Sequence, residues 1–173
     1  MIGSYTKFPK ERHNSIRGEF AAELYEWMSR DESIVLVVGD LGYGIFDCHF
    51  RDFPDRCFNV GAAEVAMMGI AVGLVLEGKK PFVYSITSFL INRPYETIRL
   101  YINHENIPVR LIGSGRDKDY HIDGWSHDCS DIKPIMDTFT NIEQYWPDLK
   151  AEIPMMVYKM VKNNVPTFIS LKR

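Results

Sequence analysis

No stretch of this chain stays apolar for the roughly 20 residues that a membrane-spanning helix requires; the longest such run, around "AMMGIAVGLVL", is much shorter. The opening segment "MIGSYTKFPKERHNSIRGEF" lacks the apolar centre of a secretory signal, so export is not expected. Cysteine is scarce. Cys48, Cys57 and Cys129 are odd in number and show no CxxC spacing, which argues for free thiols in a reducing, cytoplasmic setting rather than a disulfide framework. Clusters of lysine and arginine are missing too, and the net charge is −3. That balance argues against nucleic acid or an anionic membrane as partner. Repeats, low-complexity tracts and linkers are not seen, and 173 residues suit one domain, spanning 1–173, with a core of its own.

What is present alternates between two periods. "NSIRGEFAAELYEWMSR" places Ile16, Phe20, Leu24 and Trp27/Met28 at helical spacing, with Ser15 available as a cap. "SIVLVVGD" is a continuous β-branched strand, the kind found in a parallel sheet covered on both faces. The aromatic segment 41–56 reads as a loop and "CFNV" as a brief strand. A helix follows over 62–77. "KPFVYSI" is a third strand, "NRPYETIRLYINHEN" a helix with Pro94 in its first turn, and "IPVRLIG" a fourth strand. A long polar loop, "SGRDKDYHIDGWSHDCSD", a short helix in "IKPIMDTF", a strand near "TNI", a helix through "AEIPMMVYKMVKNN" and the strand "PTFISLK" complete the chain. Strand and helix alternate throughout. The pattern predicts a three-layer α/β domain, with a mainly parallel sheet of about six strands and helices on both faces.

The helix over 62–77 is unusual. Residues 62 to 76 are Ala, Val, Met, Gly, Ile and Leu on every side, with Glu64 the one charge among them. A surface helix is apolar on one stripe only, so this one calls for two covers: its own sheet and a second surface, expected to be another subunit. Gly69 and Gly73 would allow close approach there. Glu64 has two readings. With Gly61 as N-cap it sits at the third helical position, where a carboxylate favours the helix terminus. Alternatively it is held in a dry cleft to move a proton or grip a ring nitrogen.

Several motifs in order resemble the pyrimidine-binding domain of the transketolase family. They are Asp40 after the first strand, Arg56, Gly61 with Glu64 opening a helix, Gly78 to Phe82, Phe89, and Arg93-Pro94-Tyr95-Glu96-Thr97-Ile98-Arg99. "HIDGWSHDCSDI" further resembles that family's Asp-Gly-Pro-Thr-His loop. The resemblance implies thiamine diphosphate as cofactor. Glu64 would hydrogen-bond N1′ of its aminopyrimidine ring, Phe89 and Tyr95 would form the ring's wall, Arg93 would orient the ring or a substrate oxygen, and Asp40 would lie at the cofactor. Asp123 and His127 would bind sugar hydroxyls, and Arg116 would meet a substrate phosphate. Plainer readings stand beside these: core for Phe89, a turn for Asp40, a capped helix start for Arg93 and Tyr95. No metal-ligand set is expected in this chain, because the His, Asp and Cys spacing at 121–129 fits no common zinc pattern. Trp125-Ser126 replaces the family's Pro-Thr, which points to a different or bulkier sugar.

The family's diphosphate grip, Gly-Asp-Gly followed by Asn-Asn, has no counterpart: the sequence contains no Gly-Asp-Gly, and Asn163-Asn164 lies at a helix end. The family's C-terminal domain is not found either. The resemblance therefore implies one subunit of a split transketolase. A separate N-terminal, diphosphate-binding subunit would supply the pyrophosphate site and Mg²⁺, in an expected heterotetramer. The implied reaction is transfer of a two-carbon ketol unit from a ketose or ketose phosphate to an aldehyde. A split 2-oxo acid decarboxylase or 1-deoxyxylulose phosphate synthase-like subunit, and a non-catalytic regulatory domain of the same fold, are the alternatives.

Overall fold

A computed structural model describes residues 14–173; most of the segment read for a secretory signal, positions 1–13, lies outside the described residues. Six strands form one sheet: β1 (Ile34–Val38), β2 (Cys57–Asn59), β3 (Lys80–Ile86), β4 (Arg110–Ser114), β5 (Glu143–Tyr145) and β6 (Thr167–Leu171). Their order is β2-β1-β3-β4-β6-β5, and every pairing is parallel. The sheet is thus wholly parallel where a mainly parallel one was expected. All five residues of β1 are buried, as a strand covered on both faces requires.

Alternation along the strands splits the core in two. Leu36, Val38, Phe82, Tyr84, Ile112 and Ile169 face one layer, with α1 (Ile16–Met28), α2 (Asp47–Asp52) and α7 (Ile153–Lys162) against them. Val35, Val37, Val83, Leu111 and Phe168 face the other. That second layer holds α3 (Glu64–Leu76), α4 (Thr87–Asn92), a short α5 (Tyr95–Thr97) that continues as a π-helix over Ile98–His104, and α6 (Ile132–Met136). Ser15 caps α1 as expected, its hydroxyl accepting from the Gly18 amide at 3.0 Å. No helix among the described residues is long and apolar enough to cross a membrane.

Two local expectations are corrected. The segment 41–56 is not all loop, since α2 and a 3₁₀ turn at Pro54–Arg56 form within it. The helix expected over 92–106 is found from Tyr95 to His104, as α5 and the π-helix, and an unexpected helix, α4 (Thr87–Asn92), precedes it, with Pro94, which has no N–H to donate, lying in the break between them. Arg110, inside an otherwise apolar strand, is 2% exposed. It donates to the carbonyls of Met160 (3.0 Å) and Asn163 (3.1 Å), tying β4 to the end of α7, and burial pushes its guanidinium pKa down to about 10.

The approach of α4 to β4 is tight. A Cβ at Gly113 would fall well inside contact distance of the Thr87 side chain. Thr87 cannot retreat easily, because it is buried and its hydroxyl donates to the Gly115 carbonyl at 2.5 Å. Gly113→Ala is expected to cost about 1–3 kcal/mol as overpacking, read as a lower urea midpoint with an unchanged slope.

Candidate active site

In parallel α/β sheets the carboxyl ends of the strands are where ligands bind, and here the predicted residues gather at the ends of β1 and β3. A cleft of about 150 Å³ is lined by Gly39, Asp40, Leu41, Ala62, Glu64, Ser85, Ile86, Phe89 and Arg93. Sequence separation says nothing of this grouping; the parallel register of β1 on β3 creates it.

Glu64 is the first residue of α3, with Ala63 rather than Gly61 in the capping position. Gly61 has φ of 73° and turns the chain before the helix begins. The carboxylate therefore lies within the first turn, near the positive end of the helix dipole. Its side chain is 1% exposed. Ser85 donates its hydroxyl to Glu64 Oε1 at 3.2 Å, and Arg93 Nη1 donates to Oε2 at 2.7 Å. A buried carboxylate needs such partners. Gly39 supplies the room: a Cβ there would stand 3.3 Å from Ser85 Oγ and 3.6 Å from Glu64 Oε1.

Phe89 and Arg93 share one stripe of the α4 region, four residues apart. The guanidinium carbon of Arg93 lies 3.8 Å from the Phe89 ring centroid. His127 also meets Phe89, edge-on, with centroids 4.8 Å apart. The turn carrying His127 is anchored by Ser88, whose hydroxyl donates to the Ser126 carbonyl at 2.8 Å, and by the Cys129 amide, which donates to Asp117 at 2.8 Å. Beside it, the hydroxyl and amide of Ser130 hold the Asp128 carboxyl below the usual range. Asp40 takes a left-handed backbone (φ 54°), which aspartate tolerates better than most residues. Its amide donates to Asn59 Oδ1 at 3.0 Å.

The structure thus brings together Asp40, Glu64, Phe89, Arg93 and His127. Three predicted residues lie elsewhere. Tyr95 turns toward Phe139, ring centroids 5.4 Å apart, and stays 39% exposed; the Pro94 break carries it away from the cleft. Arg116, expected to face a substrate phosphate, is buried and bonded within the chain. It donates to the Ser170 carbonyl (2.6 Å), the Pro147 carbonyl (2.8 Å) and Asp148 (3.0 Å). Asp123 is exposed, on a 3₁₀ turn following Tyr120. Arg56 serves the fold, donating to the carbonyls of Met28 and Asp31 at 3.0 Å. Trp125 stands 89% exposed at the edge of a neighbouring polar cavity of about 230 Å³ shared with Ser88, Asn92 and Asp131.

Sequence reasoning missed Ser85 and Ser88. The available signal was a hydroxyl pair at the end of an apolar strand. It also missed a polar group at the end of β4, where Arg17 Nη1 donates to the Tyr120 hydroxyl at 2.9 Å and Ser114 shares that hydroxyl at 2.9 Å. Around the cleft mouth, α3 buries Glu64, Met67, Met68 and Ala71. Its other side leaves Val65 (59%), Ile70 (43%) and Leu76 (73%) exposed.

Residues 14–173 match the family "Transketolase, pyrimidine binding domain". The chain is 27% identical over 159 residues to the 6-deoxy-6-sulfo-D-fructose transketolase subunit SqwH of Clostridium sp. (strain MSTE9), covering 91% of this chain and 49% of that protein. It is 31% identical over 121 residues to an apulose-4-phosphate transketolase subunit of Actinobacillus succinogenes, covering 70% and 39% respectively. Among solved structures it resembles one described as "Split gene transketolase, inactive beta4 tetramer", with a TM-score of 0.80 and 28% identity over 92% of this chain and 51% of that one. The chain spans about half the length of these relatives, or less.

Proposed function

The chain belongs to the transketolase pyrimidine-binding domain family, and from that premise we propose that it is the aminopyrimidine-binding subunit of a split, thiamine diphosphate-dependent transketolase. The observation that carries this is Glu64: a carboxylate 1% exposed, at the base of a cleft that also presents the Phe89 ring. When bound, thiamine diphosphate supplies a carbon nucleophile that no amino-acid side chain provides. The residues present fit such a group. Phe89 offers an aromatic face, Gly39 leaves the space a Cβ would fill, and Glu64 offers an acceptor that stabilises positive charge on a ring nitrogen better than an amide does. Apolar neighbours strengthen that contact by excluding water. Asp40 borders the cleft, His127 beside Phe89 is positioned to meet a substrate hydroxyl, and Asp123 is exposed on the same loop.

Two further parts of the reading concern a partner. No Gly-Asp-Gly occurs in these 173 residues, so the diphosphate and Mg²⁺ would be held by a second, diphosphate-binding subunit. The exposed apolar side of α3, with Val65, Ile70 and Leu76, is a fitting surface for it; buried apolar area is the main source of such association. Relatives that are named as transketolase subunits support this division of labour.

The test is reconstitution with a diphosphate-binding partner chain. Calorimetry is expected to show tight thiamine diphosphate binding by the pair and not by this chain alone, with two-carbon transfer from a ketose phosphate to an aldehyde. Tight binding by the isolated chain overturns the split site. Release of carbon dioxide from pyruvate, with no ketol transfer, would favour the synthase-type reading.

A further inference from the structure

One face of Phe89 already carries a flat, nitrogen-rich group belonging to the chain itself. The Arg93 guanidinium stacks 3.8 Å above the ring centroid while its Nη1 donates to Glu64 Oε2 at 2.7 Å. A guanidinium is planar and delocalised, with N–H donors in a rigid fork. A 4-aminopyrimidine protonated at N1 offers a similar pattern: a plane to stack, and a charged ring N–H to donate to a carboxylate. Both groups would use the same aromatic face and the same carboxylate oxygen.

We propose that Arg93 is an internal surrogate for the aminopyrimidine ring, stacked on Phe89 and paired with Glu64 until a ring displaces it. The inference rests on the reading of the cleft given above. It explains a difficulty of the free subunit. Glu64 lies almost wholly out of water, and a buried charge without a partner opposes folding. Arg93 supplies that partner before any ligand arrives. It is also free to leave. Its side chain is 43% exposed, it sits at the end of α4 just before the Pro94 break, and among the described residues it forms no second ion pair. Entry of the ring is then an exchange that takes up one proton from solvent: the Arg93 guanidinium leaves Glu64, and the ring nitrogen, protonated as it arrives, becomes the donor in its place, so the carboxylate is never left unpaired.

The exchange predicts two effects of opposite sign, which a plain ring-binding arginine would not produce. The full-length chain is titrated with 4-amino-2-methylpyrimidine at millimolar concentration, following the Arg93 Nε–Hε resonance by NMR, and melting is recorded for each variant. In the unsubstituted chain the resonance, shifted by the Phe89 ring, is expected to move toward its free position as the pyrimidine binds. Arg93→Ala and Arg93→Gln are expected to bind the pyrimidine about tenfold more tightly, equivalent to 1.4 kcal/mol, and to melt at lower temperature. Weaker binding by both variants overturns the proposal and makes Arg93 a ring ligand. Binding that leaves the Arg93 resonance unmoved also overturns it, while the reading of the cleft survives. If neither the chain nor its variants bind the pyrimidine, the cleft reading fails and the surrogate with it.

Discussion

Glu64→Gln is expected to lower turnover of the reconstituted enzyme by about 10²–10⁴-fold, the range ascribed to a positioned acid–base group. Glutamine fills the same volume, so the packing of α3 against β3 should survive and the subunits should still assemble. What changes is charge. The amide carbonyl can still accept from Ser85 or Arg93, which lie 3.2 and 2.7 Å from the two carboxylate oxygens. It cannot stabilise positive charge gained by a ring nitrogen, and its NH₂ faces one donor with another. The loss should therefore appear in kcat more than in KM, because the interaction is made only as charge develops. Glu64→Ala adds a buried cavity and is the poorer test. Steady-state kinetics with the assembled complex checks the prediction, and unchanged turnover would favour the non-catalytic reading of this fold.

Much of the fold was legible because it is written in local patterns. "IVLVV" reads as a strand buried on both faces, and β1 is that strand. The mixture of small and branched apolar residues in α3 reads as a helix needing two covers, and only one side of it is buried in this chain. Grouping Glu64, Phe89, Arg93 and Asp40 in one cleft came from motif order, which stands in for the tertiary information that spacing alone lacks. The misses are of another kind. Arg116 was assigned to substrate, yet its partners Pro147, Asp148 and Ser170 lie 31 to 54 residues away in sequence, and no local pattern announces them. Tyr95 was placed in the ring's wall by its position in the family motif, beside Arg93. The break at Pro94 rotates the next turn, and the ring packs on Phe139 instead. The N-cap of α3 was misplaced because Gly61 is conformationally suited to end a turn as well as to cap a helix.

Lowering the pH from 6.5 toward 3 is expected to destabilise the chain by about 1.4 kcal/mol per unit through His49 alone. His49 sits on α2 and is fully buried. Its ring lies edge-on to Tyr25 and Phe46, centroids 5.4 and 5.0 Å away, with Nε2 at 3.1 Å from the Ala21 carbonyl. Burial pushes its pKa from the ordinary 6.5 down to about 3, against the opposing pull of that carbonyl and of Asp52. The sign follows from which state takes the proton. Between pH 6.5 and 3 the unfolded chain protonates His49 and the folded chain does not, so acid favours unfolding across that whole window. Asp31 acts in the same direction but later. Burial would raise its pKa, but bonds from Lys80 and Ser33 outweigh this and bring it from 3.8 to about 2, so its contribution is lost only below about pH 4. The interval from 6.5 to 4 therefore separates the two groups. His49→Gln keeps a neutral donor at the same position and cannot titrate. Urea unfolding at pH 7, 6 and 5 should show a flatter profile for His49→Gln than for the unsubstituted chain, even if the variant is less stable at pH 7. An equal slope in both would mean that the acid sensitivity arises at another group.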